Sequence, residues 1–376
     1  MKILVLAGET PLPPTSGARQ RVLYLTRELA RVAQVDVVAL GPVPDADTEA
    51  FSLRGIPHMA GRYTTLATAL RRPYMAVKLA SPALGELAAQ ASADTIQAEF
   101  PYLVPAALRA AAPVVLNAQN VETEVLTSLA QSERHVRRLR WAWESRKTER
   151  FERWAARHVA AVSVPSEHDA AIFERWGAKS VVVVPNGVDT AAVEHRPPLP
   201  GATLVYVGHY GYRPNVLAAR ELAEQILPRV IAEVPEASVR LVGREPGVDL
   251  RRLAAPRVEI TGEVADPVAQ QHAARAVVVP LRAGGGSRLK VLEALAAGTP
   301  VVSTPLGIAG LELERGTHVL VGETPADLAA LAIRVIRDGD LAASLSERGR
   351  RLVEERYDWT VAARPLVELH RELAGR

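Results

Sequence analysis

The sequence predicts a two-domain, doubly wound α/β protein in which each domain carries a parallel sheet, and three observations predict it. Short β-rich runs alternate with helical stretches from end to end, the βαβ rhythm of such folds. Several runs are near-continuous Val/Ile/Leu without polar alternation, as expected of parallel strands covered on both faces. The rhythm breaks once, near Ala191–Gly201, where Arg196-Pro-Pro-Leu-Pro-Gly201 reads as a linker, and then restarts with a fresh strand. A length of 376 residues leaves each domain enough chain to bury its own core. The expected partition is residues 1–190, a linker at 191–201, a second domain at 202–358, and a closing helix at 359–376.

In the first domain the strand candidates are Lys2–Leu6, Val35–Leu40, Thr95–Gln97, Val114–Asn117, Ala161–Val164 and Val181–Val184. In the second they are Thr203–Val207, Ser238–Val242, Val258–Thr261, Ala276–Pro280 and Pro300–Ser303. Between the first two, Ala18–Ala33 repeats Val22, Leu25, Leu29 and Val32 at helical spacing. Ligands of such sheets bind beyond the carboxyl ends of the strands, so with two domains the expected site is a cleft between facing sheets.

Composition narrows the chemistry. There is no cysteine, which excludes disulfides, thiol nucleophiles and cysteine-bound zinc. A formal charge of +3 does not indicate a nucleic-acid footprint. The apolar start, Met1 to Gly8, is too short for a signal peptide, and no segment reaches about 18 uninterrupted apolar residues, so the reading is cytoplasmic. Ser132–His158 holds nine Lys/Arg against four Asp/Glu, with Trp141, Trp143, Phe151 and Trp154 among them. That stretch reads either as a membrane-surface helix (a peripheral contact at the inner face) or acceptor-docking helix, or as a long solvated helix whose aromatic face meets the core.

The segment Pro280–Pro300 is the most informative. A buried strand is followed by Gly284-Gly285-Gly286-Ser287, and then by a helix carrying Arg288, Lys290 and Glu293. Glycines let a backbone approach a ligand, and the free N–H groups and dipole of a helix start favour phosphate. Three successive glycines cost conformational entropy that a simple turn does not require. Arg288 and Lys290 add positive charge, and Glu293 is placed to accept hydrogen bonds from sugar hydroxyls. The set suits a diphosphate joined to a polyhydroxylated ring.

Other loops are more ambiguous. Gly208, His209 and Arg213 follow the first strand of the second domain and read as a second phosphate or sugar contact, or as a plain connection with Pro214 starting a helix. Thr261–Asp266 reads equally as a pocket for a base or a connector. In the first domain a long loop reaches Ser16, Gly17 and Arg21, with Arg21 available to an anion. Gln119, Asn120 and Glu122 stand just beyond a strand end, where a cleft role competes with helix capping by Asn120 or Thr123. Asn186-Gly187 marks a turn before the linker.

Taken in order, the Gly17/Arg21 loop, Asn120-Val-Glu122, Val162–Asp169, Pro185-Asn-Gly-Val-Asp189, Gly208…Pro214-Asn215, Leu241-Val-Gly243, Arg288-x-Lys-x-x-Glu-Ala294 and Gly298-x-Pro-Val-Val302 resemble glycosyltransferase family 4. The resemblance runs over almost the whole chain and falls in a branch with Arg-x-Lys before the ribose-binding glutamate. It implies the GT-B fold, retaining sugar transfer, and a nucleoside-diphosphate-sugar donor of UDP or GDP type held mainly by the second domain. It further implies a hydroxyl acceptor held mainly by the first domain, no required metal or other cofactor, and a last helix, after Tyr357-Asp-Trp359, that packs back on the first domain. By position, Glu293 would hold the ribose, Gly285 to Ser287 would lie against sugar and phosphates, and Gly17 near the diphosphate.

The chain departs from the family pattern at three places. Gly285 stands where a first glutamate is usual, His209 and Pro214 where Arg and Lys are usual, and Gln119 near where a histidine is usual. Arg288 and Lys290, with Arg213, are then the source of positive charge, and Arg288, Lys290 and Gln119 are the catalytic candidates. Two other functions share the fold. A catalytically weak nucleotide-sugar-binding partner of another transferase would bind donor without turnover, and a sugar-nucleotide epimerase would need acid/base groups that Gln119 does not supply.

Overall fold

The computed structural model describes residues 1–43, 48, 50–58, 71–132, 135–284 and 288–375. Gly285, Gly286 and Ser287 therefore lie outside the described residues. The chain divides into two compact units. The first takes Met1–Asn186 together with the C-terminal Trp359–Arg376, and the second takes Gly187–Gly284 and Arg288–Asp358.

In the first unit, β1 (Lys2–Ala7), β2 (Gln34–Leu40), β3 (Ser52–Ile56), β4 (Thr95–Glu99), β5 (Val114–Asn117), β6 (Ala161–Val164) and β7 (Val181–Val183) form one sheet in the order β3-β2-β1-β4-β5-β6-β7. Every pairing is parallel, with Val5 opposite Val37 on one side and Gln97 on the other. The strand sequence runs outward from β1 in both directions, so the switch point lies between β1 and β4. Strand β4 is buried along its whole length although Thr95, Gln97 and Glu99 are polar, so all three need partners inside the protein. The helix Gly17–Ala30 starts at Ser16, whose hydroxyl accepts from the Arg19 amide at 3.3 Å, the expected N-cap.

In the second unit, β8 (Thr203–Val207), β9 (Ser238–Val242), β10 (Val258–Gly262), β11 (Ala276–Val279), β12 (Val301–Ser303) and β13 (Leu320–Val321) form a second parallel sheet in the order β10-β9-β8-β11-β12-β13. Its switch point lies between β8 and β11, so the loops that follow these two strands are the ones such a sheet offers to a ligand. The unit's core joins Leu204 and Val205 of β8, the fully buried β11, and Val291, Leu292 and Leu295 of the helix Leu289–Ala297. Gly298 ends that helix in the left-handed conformation, at φ 84°.

Two strands, β3 and β13, fall outside the sequence-derived set. Both are sheet edges, one half-exposed and the other two residues long. The stretch expected as a single helix over Ser132–His158 is instead the end of one helix, Glu122–Ser132, and all of another, His135–His158. The C-terminal helix Arg364–Ala374 packs in the first unit, where its His370 is fully buried against Thr95 and Gln97.

Candidate functional site

In the second unit the loops after β8 and β11 meet. Gly284 has φ 98°, and a Cβ there would lie 2.6 Å from the Tyr212 hydroxyl and 3.0 Å from Pro214. Only glycine permits that backbone and that approach. Arg288 is 8% exposed and occupies the N-cap position of the helix Leu289–Ala297. Lys290 and Glu293 follow at i and i+3 and so share a helix face. The Lys290 ammonium donates to the Tyr206 hydroxyl at 2.9 Å and to Asn215 Oδ1 at 3.1 Å, and lies 4.2 Å from the centre of the Tyr206 ring. Burial, reinforced by the positive charge of Arg288 and opposed by Glu293, holds the Lys290 pKa down at about 7.

The loop after β8 is held on three sides. Asn215 accepts from Tyr206 at 2.6 Å and donates to the His209 carbonyl at 2.9 Å, the Gly208 amide donates to Val242, and the Tyr210 amide donates to Arg244. His209 is partly exposed and 3.2 Å from Glu245. Arg213 is exposed in the first turn of the helix Arg213–Glu221, with Pro214 beside it at the helix start. In Thr261–Asp266, Asp266 caps the next helix by accepting from the Ala269 amide.

In the first unit the carboxyl ends of β4 and β5 carry a buried polar network. Glu99 is fully buried and accepts from Gln97 at 2.6 Å, from Asn117 Nδ2 at 2.9 and 3.1 Å, and from Gln119 at 3.4 Å. Burial raises the Glu99 pKa, and the hydrogen bonds from Asn117 and Gln97 oppose that rise. Arg21 is 1% exposed and donates to Asn186 Oδ1 at 3.1 Å, the Pro185 carbonyl at 3.2 Å and Asn117 Oδ1 at 3.3 Å. Burial lowers its pKa to about 10, with Glu99 and Asp169 opposing. The expectation that Arg21 is available to an anion is therefore corrected, because its guanidinium is committed to ordering the strand ends and the Pro185-Asn186 turn.

Gln119 is also covered, at 6% exposure, and tied to Glu99 and the Ala18 carbonyl. Asn120 interacts with Glu122, whose pKa is pushed up to about 7 by burial. The cap of the helix Glu122–Ser132 comes from neither Asn120 nor Thr123. Glu152, on the next helix, accepts from the Glu122 amide at 2.9 Å and the Thr123 amide at 3.0 Å. A cavity of about 570 Å³ opens beside Lys2, Asp36, Arg54 and Gln90, toward the amino end of β1, and none of the sequence-derived site residues lines it.

The structure thus brings Gly208, His209, Arg213 and Gly284 into the two contacting loops, with Arg288, Lys290 and Glu293 on the helix start beside them. It adds two residues to the sequence reading, Tyr206 and Asn215. Asn215 stood within the Pro214-Asn215 motif. Tyr206 gave no signal beyond a hydroxyl inside an apolar strand.

Two parallel α/β units with this strand order, and loops that gather cations beside the second sheet's switch point, define a protein of the GT-B glycosyltransferase class. Two family models match it, glycosyltransferase family 4 over residues 15–192 and glycosyl transferases group 1 over residues 201–338. The chain belongs to glycosyltransferase family 4. It is 29% identical over 220 residues to a phosphatidyl-myo-inositol mannosyltransferase of Mycolicibacterium smegmatis, a match to 54% of this chain and 56% of that protein. The chain spans about half the length of the curated relatives it matches. Among solved structures, sucrose-phosphate synthase from Thermosynechococcus elongatus superposes with a TM-score of 0.75 over all of both chains at 19% identity. Anabaena HepE in complex with UDP and glucose superposes at 0.69, over 98% of this chain and 99% of that one, at 17% identity.

Proposed function

We propose that this chain transfers a sugar from a nucleoside-diphosphate-sugar to an acceptor hydroxyl with retention of configuration. The observation that carries the reading is the placement of Arg288, Lys290 and Glu293 at one helix start, beside a loop that admits only glycine at position 284. In the transfer, the bond between the sugar's anomeric carbon and the diphosphate breaks while a bond to the acceptor oxygen forms on the same face, and the acceptor's hydroxyl proton passes to the departing diphosphate. Negative charge grows on the departing diphosphate, and Arg288, Lys290 and the helix dipole are placed to stabilise it. Glu293 holds the ribose hydroxyls. The reading requires no metal, because the two cations supply the charge. In the first unit, Ser16, Asn120 and Glu122 are the groups assigned to the acceptor.

The donor is of UDP or GDP type. Anabaena HepE is described with UDP and with UDP-glucose, and the mycobacterial relative is named as a mannosyltransferase. Thermal unfolding against UDP and GDP, each with magnesium and with chelator, tests the reading. A ligand at about 100 times its Kd adds roughly 2.7 kcal/mol of stability, so one diphosphate should raise the unfolding temperature equally in both conditions. No shift with either nucleotide would remove the donor site, whereas binding without turnover for any acceptor would favour a binding partner of another transferase.

We place the activity in the cytoplasm, at the inner face of the membrane. No helix among the described residues is long and apolar enough to cross a bilayer. The helix His135–His158, however, exposes Val136 (78%), Leu139 (71%) and Trp143 (53%) beside Arg137, Arg138 and Arg140. Apolar anchors among arginines suit an anionic lipid surface, and hence a lipid-linked acceptor. Co-sedimentation with vesicles should need anionic lipid and be lost in L139D/W143D.

A further inference from the structure

The amine of Lys290 is held by neutral groups. Asn215 Oδ1 accepts from both Lys290 and Tyr206, and the Tyr206 hydroxyl accepts from Lys290 while donating to Asn215. Asn215 is fixed in turn by the His209 carbonyl. A neutral amine has two N–H groups, which suffice for both bonds. The charged and titratable groups around it are Arg288 and Glu293 on its own loop and helix, Tyr206 on β8, and Tyr210, Tyr212 and the His209–Glu245 pair from the facing loops. Arg288 disfavours the ammonium and Glu293 favours it. A diphosphate arriving beside Arg288 would reverse that balance, because it adds negative charge where positive charge dominates.

We propose that Tyr206 and Asn215 are positioning residues that hold the Lys290 amine in the donor-free protein, and that the incoming diphosphate converts it to an ammonium, taking up one proton from solvent. The proposal rests on reading this site as the donor site. Burial and Arg288 hold the Lys290 pKa down at about 7 in the free protein, and a bound diphosphate would raise it. Affinity is then full below about pH 7 and is lost as pH rises toward the bound-state value, by up to about tenfold per pH unit for one proton. Proton uptake appears within that window and vanishes well below it.

Isothermal titration calorimetry with UDP-glucose and GDP-mannose tests this, in phosphate and in Tris, at pH 6 and pH 8. Neither donor has a phosphate group that titrates in this range. At pH 8 the binding enthalpy should differ between buffers by an uptake approaching one proton per donor, and at pH 6 the difference should shrink toward zero. K290R, always charged, should bind without uptake. N215D, which places a carboxylate against the amine, should already hold the ammonium and lose most of the uptake at pH 8. Y206F should weaken donor binding while the protein still unfolds cooperatively. Tight binding with a buffer-independent enthalpy at pH 8 overturns the proposal, as does uptake that persists in K290R. If neither donor binds, while the protein unfolds cooperatively, the donor-site reading itself falls and the inference falls with it.

Discussion

Replacing Lys290 by methionine separates what the residue costs from what it does. The free protein holds this amine near pH 7 through burial, far below the value it has in an unfolded chain. A lysine with a depressed folded pKa carries a folding penalty that is complete below about pH 7 and lifts as pH rises toward the unfolded value. Methionine fills similar volume without charge, and Tyr206 keeps its bond to Asn215. K290M should therefore unfold at a temperature equal to or above that of the native chain at pH 7, with the advantage shrinking by pH 10, while donor binding is lost. A lower unfolding temperature at pH 7 would show that the lysine is structural. Gly243 makes the opposite case. It has φ 147°, and a Cβ there would overlap the Gly208 carbonyl oxygen, so Gly243→Ala should lower stability by about 3 kcal/mol or more in denaturant titration and displace the loop after β8. Arg288, Lys290 and Glu293 were legible in the sequence because their spacing and the glycines before them have a local meaning. Arg21 was misread because nothing local says that the guanidinium of a helix's fifth residue will meet Asn117, some 96 positions later, and be sealed there.

Among the elements, the helix Glu122–Ser132 shows how capping can come from outside. Its first amides are satisfied by Glu152, a fully buried carboxylate on the neighbouring helix whose pKa is pushed up to about 8, mainly by burial. Removing that side chain leaves two backbone donors without their acceptor, at about 1–3 kcal/mol if both stay buried. E152A should therefore lose the protection of the Glu122 and Thr123 amides in hydrogen exchange and lower global stability. Unchanged exchange at those two amides would mean that the cap is supplied elsewhere. The sign of the pH effect follows from the raised pKa. The stabilising contribution of the protonated carboxyl is complete below the unfolded carboxylate range and is lost as pH rises through about 8. Sequence patterns place a capping residue next to its helix, so Asn120 and Thr123 were the natural candidates, and a cap from thirty positions downstream was invisible. The central strands were legible for the converse reason, since β1, β5, β8 and β11 each contain an apolar run of three or more residues, as two covered faces require. The edge strands β3 and β13, short and half-solvated, carry no such pattern.

Across the whole molecule, the chain leaves the first unit after Asn186 and re-enters it at Trp359, and one buried polar chain ties the two passages together. His370 Nε2 lies 2.9 Å from Gln97 Oε1, Gln97 donates to Glu99, Glu99 accepts from Asn117, and Asn117 accepts from Arg21, which also holds Asn186. Because the Gln97 amide donates to Glu99, its oxygen must accept from His370, so the imidazole carries a proton on Nε2, while its Nδ1 lies 2.7 Å from the Thr95 hydroxyl, which can donate to it when the ring is neutral. Burial favours the neutral ring and lowers its pKa from 6.5 to about 4. A depressed folded pKa means a stabilising contribution that is complete above pH 6.5 and is lost as pH falls through about 4, at most about 3 kcal/mol for a shift of this size. Stability should accordingly fall on acidification from pH 6.5 to 4. H370Q keeps a donor and an acceptor but cannot titrate, so its unfolding free energy should lose that component of the slope over the same interval. An unaltered slope in H370Q would assign the acid sensitivity to other groups and leave the C-terminal helix held by its apolar face alone, through Leu366, Leu369 and Leu373.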